Sequence, residues 1–205
     1  MEFINGGELF NKEQFQDPTH YFFHSSTDKS LAPTLSALVN TNGGSCWIGM
    51  TEKRKITGVN PTTELEMLEK LCTSGFTSKI SLKVTQYTYK HYYLLLLNIN
   101  YTKEKIAVLG DLNNSYFIEI NHAILIANKI IIRWWSKSVP EVPHPTNYEW
   151  FIAQFQSEKI CSLSGLYKHS PEKKTEIESM LVYGLENNQL SILNQGGVIH
   201  FRLNI

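Results

Sequence analysis

The sequence predicts an α+β protein built as two domains, and three observations carry that reading. The segment 136–146 holds Pro140, Pro143 and Pro145, which forbid a continuing helix or central strand and favour an extended connector. Upstream of it, helical faces stand among hairpin-like strands with no regular strand-helix-strand alternation, the pattern of a mixed α/β domain. Downstream, three helical stretches lead into one hairpin. The expected boundaries are a first domain over 1–138, a linker over 139–147 and a second domain over 148–205.

Each element has its own signal. Residues 30–39 place Leu31, Leu35, Leu38 and Val39 on one helical face, and Asn40-Thr41-Asn42-Gly43-Gly44 ends that helix and turns the chain. A short buried strand follows over 45–50. Lys53-Arg54-Lys55 then forms the tip of a hairpin whose return strand is 56–59. Pro61-Thr62-Thr63-Glu64 opens an amphipathic helix with Leu65, Leu68 and Leu71 on one face. In 80–87, Ile80, Leu82 and Val84 alternate with Ser81, Lys83 and Thr85, the period of a strand with one solvated face. Residues 91–101 are apolar enough for a central strand, joined to the previous one through 87–91. Two more strands, 105–109 and 115–120, flank a turn at 110–114. The stretch 127–135 is open: Ile130-Ile131-Ile132 favours a strand by propensity, and a short helix is also allowed.

Past the linker, 148–156 sets Trp150 or Phe151 with Phe155 on a helical face, and 162–169 makes a second short helix. Pro171 starts a third, 172–187, whose interior holds Ile177, Met180 and Leu181. Strands at 189–193 and 198–203 flank Asn194-Gln195-Gly196-Gly197, a hairpin-turn signal. Three helices and a hairpin in this order are the layout of a winged helix.

With 205 residues, 42% of them hydrophobic, the chain can bury a core without disulfides. Its 19 Lys and Arg balance 19 Asp and Glu, so no global field draws it to a polyanion and any phosphate-binding surface must be local. The apolar runs fall far short of the roughly 18–20 residues that span a bilayer, and the first ten residues lack the basic start and apolar stretch of a signal peptide. A cytoplasmic protein without a membrane partner is expected. Cys46, Cys72 and Cys161 are odd in number, distant and without CxxC spacing, so they read as buried thiols and not as a disulfide framework or metal site.

Asn40-Thr41-Asn42-Gly43-Gly44, the apolar strand ending in Ile48-Gly49, a charged turn and Ile56-Thr57-Gly58-Val59 together resemble the AlbA_2 domain also present in Schlafen proteins. The resemblance implies nucleic-acid binding, to DNA or RNA. Gly43 and Gly44 permit positive φ and close backbone approach, Asn40 can brace the turn, and Gly49 and Gly58 complete the motif. Family members carry an acidic residue and, a few positions later, Glu-Phe-Lys ahead of the first helix. Here that stretch runs from Asp17 to Phe22-Phe23-His24, with Phe22 in place of Glu and His24 in place of Lys. Nuclease members hold a divalent metal with those carboxylates, and Asp17 alone cannot build that cage. The family's Arg after the aromatic pair appears as Glu119. The expectation is therefore a non-catalytic domain with no metal, cofactor or catalytic residue. His20 and His24 read as a surface pair without a carboxylate partner.

Winged helices often follow AlbA_2 domains in transcriptional regulators, where the third helix enters the major groove. Residues 149–205 carry five Lys and Arg against six Glu, a poor phosphate binder overall, although Lys168, Lys173, Lys174 and Arg202 can form a positive edge. The expected nucleic-acid-binding residues are these four with Lys53, Arg54 and Lys55. The alternatives are a protein-interaction or oligomerisation module, such as a homodimer, without nucleic-acid affinity, and a diverged metal-dependent nuclease.

Overall fold

Strand periodicity sends Cys46 and Ile48 to one side of the chain and Trp47 to the other, and all three are buried, so a sheet covered on both faces must pass through this segment. A computed structural model describes residues 2–9, 21–110, 113–136, 148–158, 160–169 and 172–204, in two compact units, 1–124 and 125–205. The expected linker 139–147 lies outside the described residues.

In the first unit the strands are β1 (Glu2–Leu9), β2 (Tyr21–His24), β3 (Gly44–Ile48), β4 (Leu82–Tyr89) and β5 (Tyr92–Ile99), in the sheet order β1-β4-β5-β3-β2. β4 and β5 form an antiparallel hairpin and β3 runs antiparallel to β5. β2 adds parallel to β3, with Tyr21 opposite Ser45 and His24 opposite Ile48. On one face the helices α1 (Leu31–Asn40) and α2 (Pro61–Ser74) bring Leu31, Leu35 and Leu68 against Ile48, Leu95 and Leu97. Each such fully buried side chain contributes roughly 1.5–3 kcal/mol. The other face packs Trp47, Tyr87 and Leu94, the Trp47 and Tyr87 rings 5.1 Å apart.

Three local expectations are revised. The return strand 56–59 reduces to single bridges, Ile56 to Met50 and Val59 to Tyr93, because β2 and β5 already occupy both edges of β3. α2 starts as its sequence predicts, with Asn60 Oδ1 accepting from the Thr62 and Thr63 N–H groups, and Leu65, Leu68 and Leu71 do pack on the core, but the fully buried stripe adds Glu64 and Cys72 to Leu68 and leaves Leu65 and Leu71 half-buried. Glu64 turns inward because its Oε2 accepts the Thr27 N–H at 2.6 Å, pinning the loop ahead of α1. Lys83 is exposed as the alternation predicts, whereas Thr85 and Tyr87 are buried in the second face. A smaller sheet, β6 (Ala107–Val108), β7 (Ser115–Ile120) and β8 (Ala123–Ile126), lies in that order, and the division between the units falls within β8.

The open stretch after it resolves as a helix, α3 (Lys129–Ser136), because Asn128 Oδ1 accepts the Ile130 and Ile131 N–H groups at 3.0 and 3.1 Å. The second unit continues with α4 (Tyr148–Glu158), β9 (Ile160–Ser162), α5 (Leu163–His169), α6 (Lys174–Glu186), β10 (Leu190–Gln195) and β11 (Val198–Leu203). β10 and β11 turn through Gly196 and Gly197, both at positive φ, and β9 joins β11 so that the order is β10-β11-β9. Phe151, Phe155, Ile177, Leu181 and Phe201 form its buried interior. All three cysteines are buried and none forms a disulfide, and burial pushes the Cys72 pKa up to about 11. No helix among the described residues is long and apolar enough to cross a membrane.

One buried carboxylate ties three helices of this unit together. Glu178 on α6 accepts the Tyr167 hydroxyl proton at 2.6 Å, pairs with Lys129 through the same oxygen and takes Arg133 at 3.1 Å on the other. Burial pushes its pKa up, but the hydrogen bonds from Lys129 and Tyr167 and the charges of Lys129 and Arg133 outweigh that and hold it below the ordinary glutamate value. A lowered folded pKa gives stability that is full at neutral pH and lost as pH falls through the lowered value. Glu178→Gln should cost roughly 1–2 kcal/mol at pH 7 in a urea titration, with the gap to the parent protein closing on acidification. A gap that stays constant down to acid pH would show that the charge does not matter.

Candidate nucleic-acid interface

The run Tyr21-Phe22-Phe23-His24 has the aromatic composition of a strand and sits on the outer edge of the five-stranded sheet as β2. Phe22 packs into the helix-side core, while Tyr21 and Phe23 pack toward Trp47. Beside this edge lies a cavity of about 620 Å³, within the roughly 300–1,000 Å³ typical of ligand pockets. Its lining joins β2 to Ser30 and Thr34 at the start of α1, to Glu52, and to Phe117 and His122 from the β7–β8 hairpin.

His24 corrects its reading as a surface histidine without an acidic neighbour. It is half-buried, with Nε2 3.1 Å from the Thr34 hydroxyl and Nδ1 3.4 Å from Ser30 Oγ. Ser30 in turn donates both its hydroxyl and its backbone N–H to Asp28 Oδ1. Because the Ser30 proton is committed to Asp28, its oxygen accepts from Nδ1–H, and in the uncharged ring Nε2 then accepts from Thr34. That is the neutral imidazole, in accord with burial lowering the His24 pKa against the opposing pull of Asp28 and Glu52. Its expected companion His20, and Asp17, lie outside the described residues. Among the described residues, no three carboxylate, imidazole or thiol side chains converge as a metal site requires.

Lys53, Arg54 and Lys55 are exposed on a tight turn closed by Thr51 N–H to the Lys55 carbonyl at 2.9 Å. Arg54 holds φ 59°, and its guanidinium lies 5.7 Å from the centre of the Phe23 ring, which also lines the cavity. The turn is therefore a cationic rim. Glu119 does not face that rim as a free charge: its Oε1 accepts the His122 N–H at 2.5 Å and secures the β7–β8 turn.

The motif residues hold the fold in place. Asn40 is buried, and its amide bonds to Ile106 and Phe117 across the first unit. Gly43, Gly44, Gly49 and Gly58 all have positive φ, and a Cβ on Gly58 would stand 2.5 Å from the Tyr92 ring. In the second unit Lys168, Lys173 and Lys174 are exposed on α5 and at the start of α6. Lys174 lies 5.4 Å from the Tyr167 ring, shared with Lys129 at the same distance. Arg202 is exposed on β11, opposite Ser191 and Ile160, on a different element from the lysines. The cavity residues Ser30, Thr34, Glu52, Phe117 and His122 have no shared signal in the linear sequence; only the aromatic run of β2 points toward it.

No curated protein matches the chain. The chain is similar to the N-terminal domain of a Nitrosomonas europaea protein whose description is an ATP-dependent DNA helicase RecG-related protein, at 16% identity and a TM-score of 0.36, over 44% of this chain and 70% of that one. It is also similar to the DIP2311 protein of Corynebacterium diphtheriae, at 10% identity and a TM-score of 0.45, over 66% of this chain and 26% of that one. The chain thus spans about a quarter of that second protein's length. The family model described as Schlafen, AlbA_2 matches residues 12–134, a span that holds β2, the basic turn, the Asn40 brace and the four motif glycines, and the chain belongs to that family.

Proposed function

We propose that the chain binds nucleic acid without cutting it, as a transcriptional regulator whose first unit supplies the phosphate contacts. The observation that carries this reading is the Lys53-Arg54-Lys55 turn, exposed beside an aromatic-lined cavity in an AlbA_2 domain. Loss of nuclease chemistry is supported by Phe22, which offers no ligand atom, and by His24, whose two ring nitrogens already face Ser30 and Thr34. From α4 onward the second unit runs helix, strand, helix, helix, hairpin, an order that supports reading 148–205 as a winged helix.

The test is retention on heparin and on generic duplex DNA as salt rises, with magnesium and manganese arms in which the nucleic acid is recovered and sized. Retention should weaken steeply with salt, and Lys53→Ala, Arg54→Ala and Lys55→Ala together should lower the salt slope by about two to three units. Lys173→Ala with Lys174→Ala should lower it only if the second unit docks in a groove. Divalent-dependent cleavage would overturn the non-catalytic reading, and absence of retention at low salt would overturn binding. A second reading is favoured for the C-terminal unit by its own ion pairs: Lys129 and Arg133 are matched by Glu178, and Lys174 lies on Tyr167, so this surface suits contact with another copy of the chain. Sedimentation would then give a dimer.

A further inference from the structure

The cavity beside β2 has a lining that does not suit phosphate. Among its described lining residues there is no Lys or Arg, and its one acidic side chain is Glu52, exposed in the loop after β3. His24 presents a neutral ring with both nitrogens engaged. A phosphate inside it would meet the Glu52 carboxylate with no Lys or Arg in the wall itself, the cations standing at the rim. The rest of the wall is the aromatic run of β2 and Phe117 with Pro33, His122 and Ile124, and the Ser30 and Thr34 hydroxyls stand at one side. Such a lining suits a flat, uncharged ring with donor hydrogens on its edge. A nucleobase carrying an exocyclic amine has that chemistry: its faces stack on aromatic rings and its amine donates to a carboxylate. The cations sit where the phosphates of the same strand would then lie, because Lys53, Arg54 and Lys55 directly follow Glu52 and Arg54 stands over Phe23.

We infer that the cavity receives one unpaired, amine-bearing nucleobase of a single strand while the Lys53-Arg54-Lys55 turn holds its backbone. This rests on the proposed nucleic-acid binding and adds the substrate class: a single strand over duplex, since a paired and stacked base cannot enter a pocket. The amine preference falls on cytosine over uracil, which carries a carbonyl oxygen at the corresponding edge.

The experiment is fluorescence anisotropy with labelled oligo-dC and oligo-dU of equal length, the ribose forms rC and rU, and a duplex control, against the full chain and Glu52→Ala. Glu52 is exposed, so the substitution should leave the unfolding midpoint unchanged. The inference expects dC to bind about fivefold or more tighter than dU, the corresponding preference in the ribose pair if RNA is the source, weaker binding of duplex, and loss of the preference in Glu52→Ala. Crosslinking of an oligonucleotide bearing 5-iodocytosine should mark the peptide carrying 21–24 or that carrying Phe117 and His122. Equal binding of dC and dU and of rC and rU, a preference that survives Glu52→Ala, or adducts confined to other peptides would overturn this inference while leaving nucleic-acid binding standing. No binding of any strand at low salt would overturn both.

Discussion

Asn40→Leu should destabilise the first unit by about 3–5 kcal/mol, more than the removal of one ordinary hydrogen bond. Asn40 is the last residue of α1 and 1% exposed, and every polar atom of its side chain is used. Nδ2 donates to the Ile106 carbonyl at 2.9 Å and to the Phe117 carbonyl at 3.2 Å, while Oδ1 accepts the Ile106 N–H at 2.7 Å. One amide thus serves both backbone groups of the residue preceding β6 and one carbonyl of β7. Leucine has a similar volume and would take the partner from the Ile106 N–H and from the Phe117 carbonyl, each costing about 1–3 kcal/mol, while the Ile106 carbonyl would keep only the Ser36 hydroxyl at 2.7 Å. Asn40→Asp would keep the acceptor but face a charge toward two carbonyls, so it should not rescue. Equilibrium urea unfolding measures the effect, and a cost below about 1 kcal/mol would mean that water or a shifted neighbour replaces the amide.

The contrast between this residue and its turn explains how much was legible. Asn40-Thr41-Asn42-Gly43-Gly44 announced a helix end because capping and positive φ are local chemistry, settled within a few residues. The partners of Asn40 lie 66 and 77 positions away, and nothing in the local pattern names them. The same limit applies to the cavity. Tyr21-Phe22-Phe23-His24 has the aromatic composition of a strand and forms one, yet His24 is not the surface histidine expected, because α1 brings Thr34, ten positions on, to its ring. Lys53, Arg54 and Lys55 were legible as an exposed turn, since short charged runs after an apolar strand are solvated. The return strand 56–59 was misjudged because a strand's edges are a shared resource, and β2, not adjacent in sequence to β3, took one of them. In the second unit the three-residue β9 lies between two helices, too short to show a period of two.

Gly43→Val should cost about 2–4 kcal/mol, and the cause differs from that at its neighbour. Gly43 holds φ 73°, in the left-handed region, and its N–H closes onto the Leu38 carbonyl at 2.8 Å to finish α1. A Cβ there would stand 2.6 Å from the Ile99 carbonyl oxygen and 3.1 Å from the Tyr101 nitrogen, both backbone atoms at the end of β5 that cannot rotate away. Any side chain at this position therefore strains its own dihedrals and also pushes the central sheet from the helix turn. At Gly44, φ 148°, the nearest atom is Leu38 Cδ2 at 2.9 Å, the far end of a side chain that can shift, so Gly44→Val should cost less, about 1–3 kcal/mol. Gly43→Ala separates the two contributions, because alanine keeps the backbone clash with little extra bulk: it should recover less than half of the valine penalty. Urea midpoints for the three variants decide the order. If Gly44→Val proves the costlier, the close approach to β5 is not what the glycine protects, and the motif's second glycine carries the geometry instead.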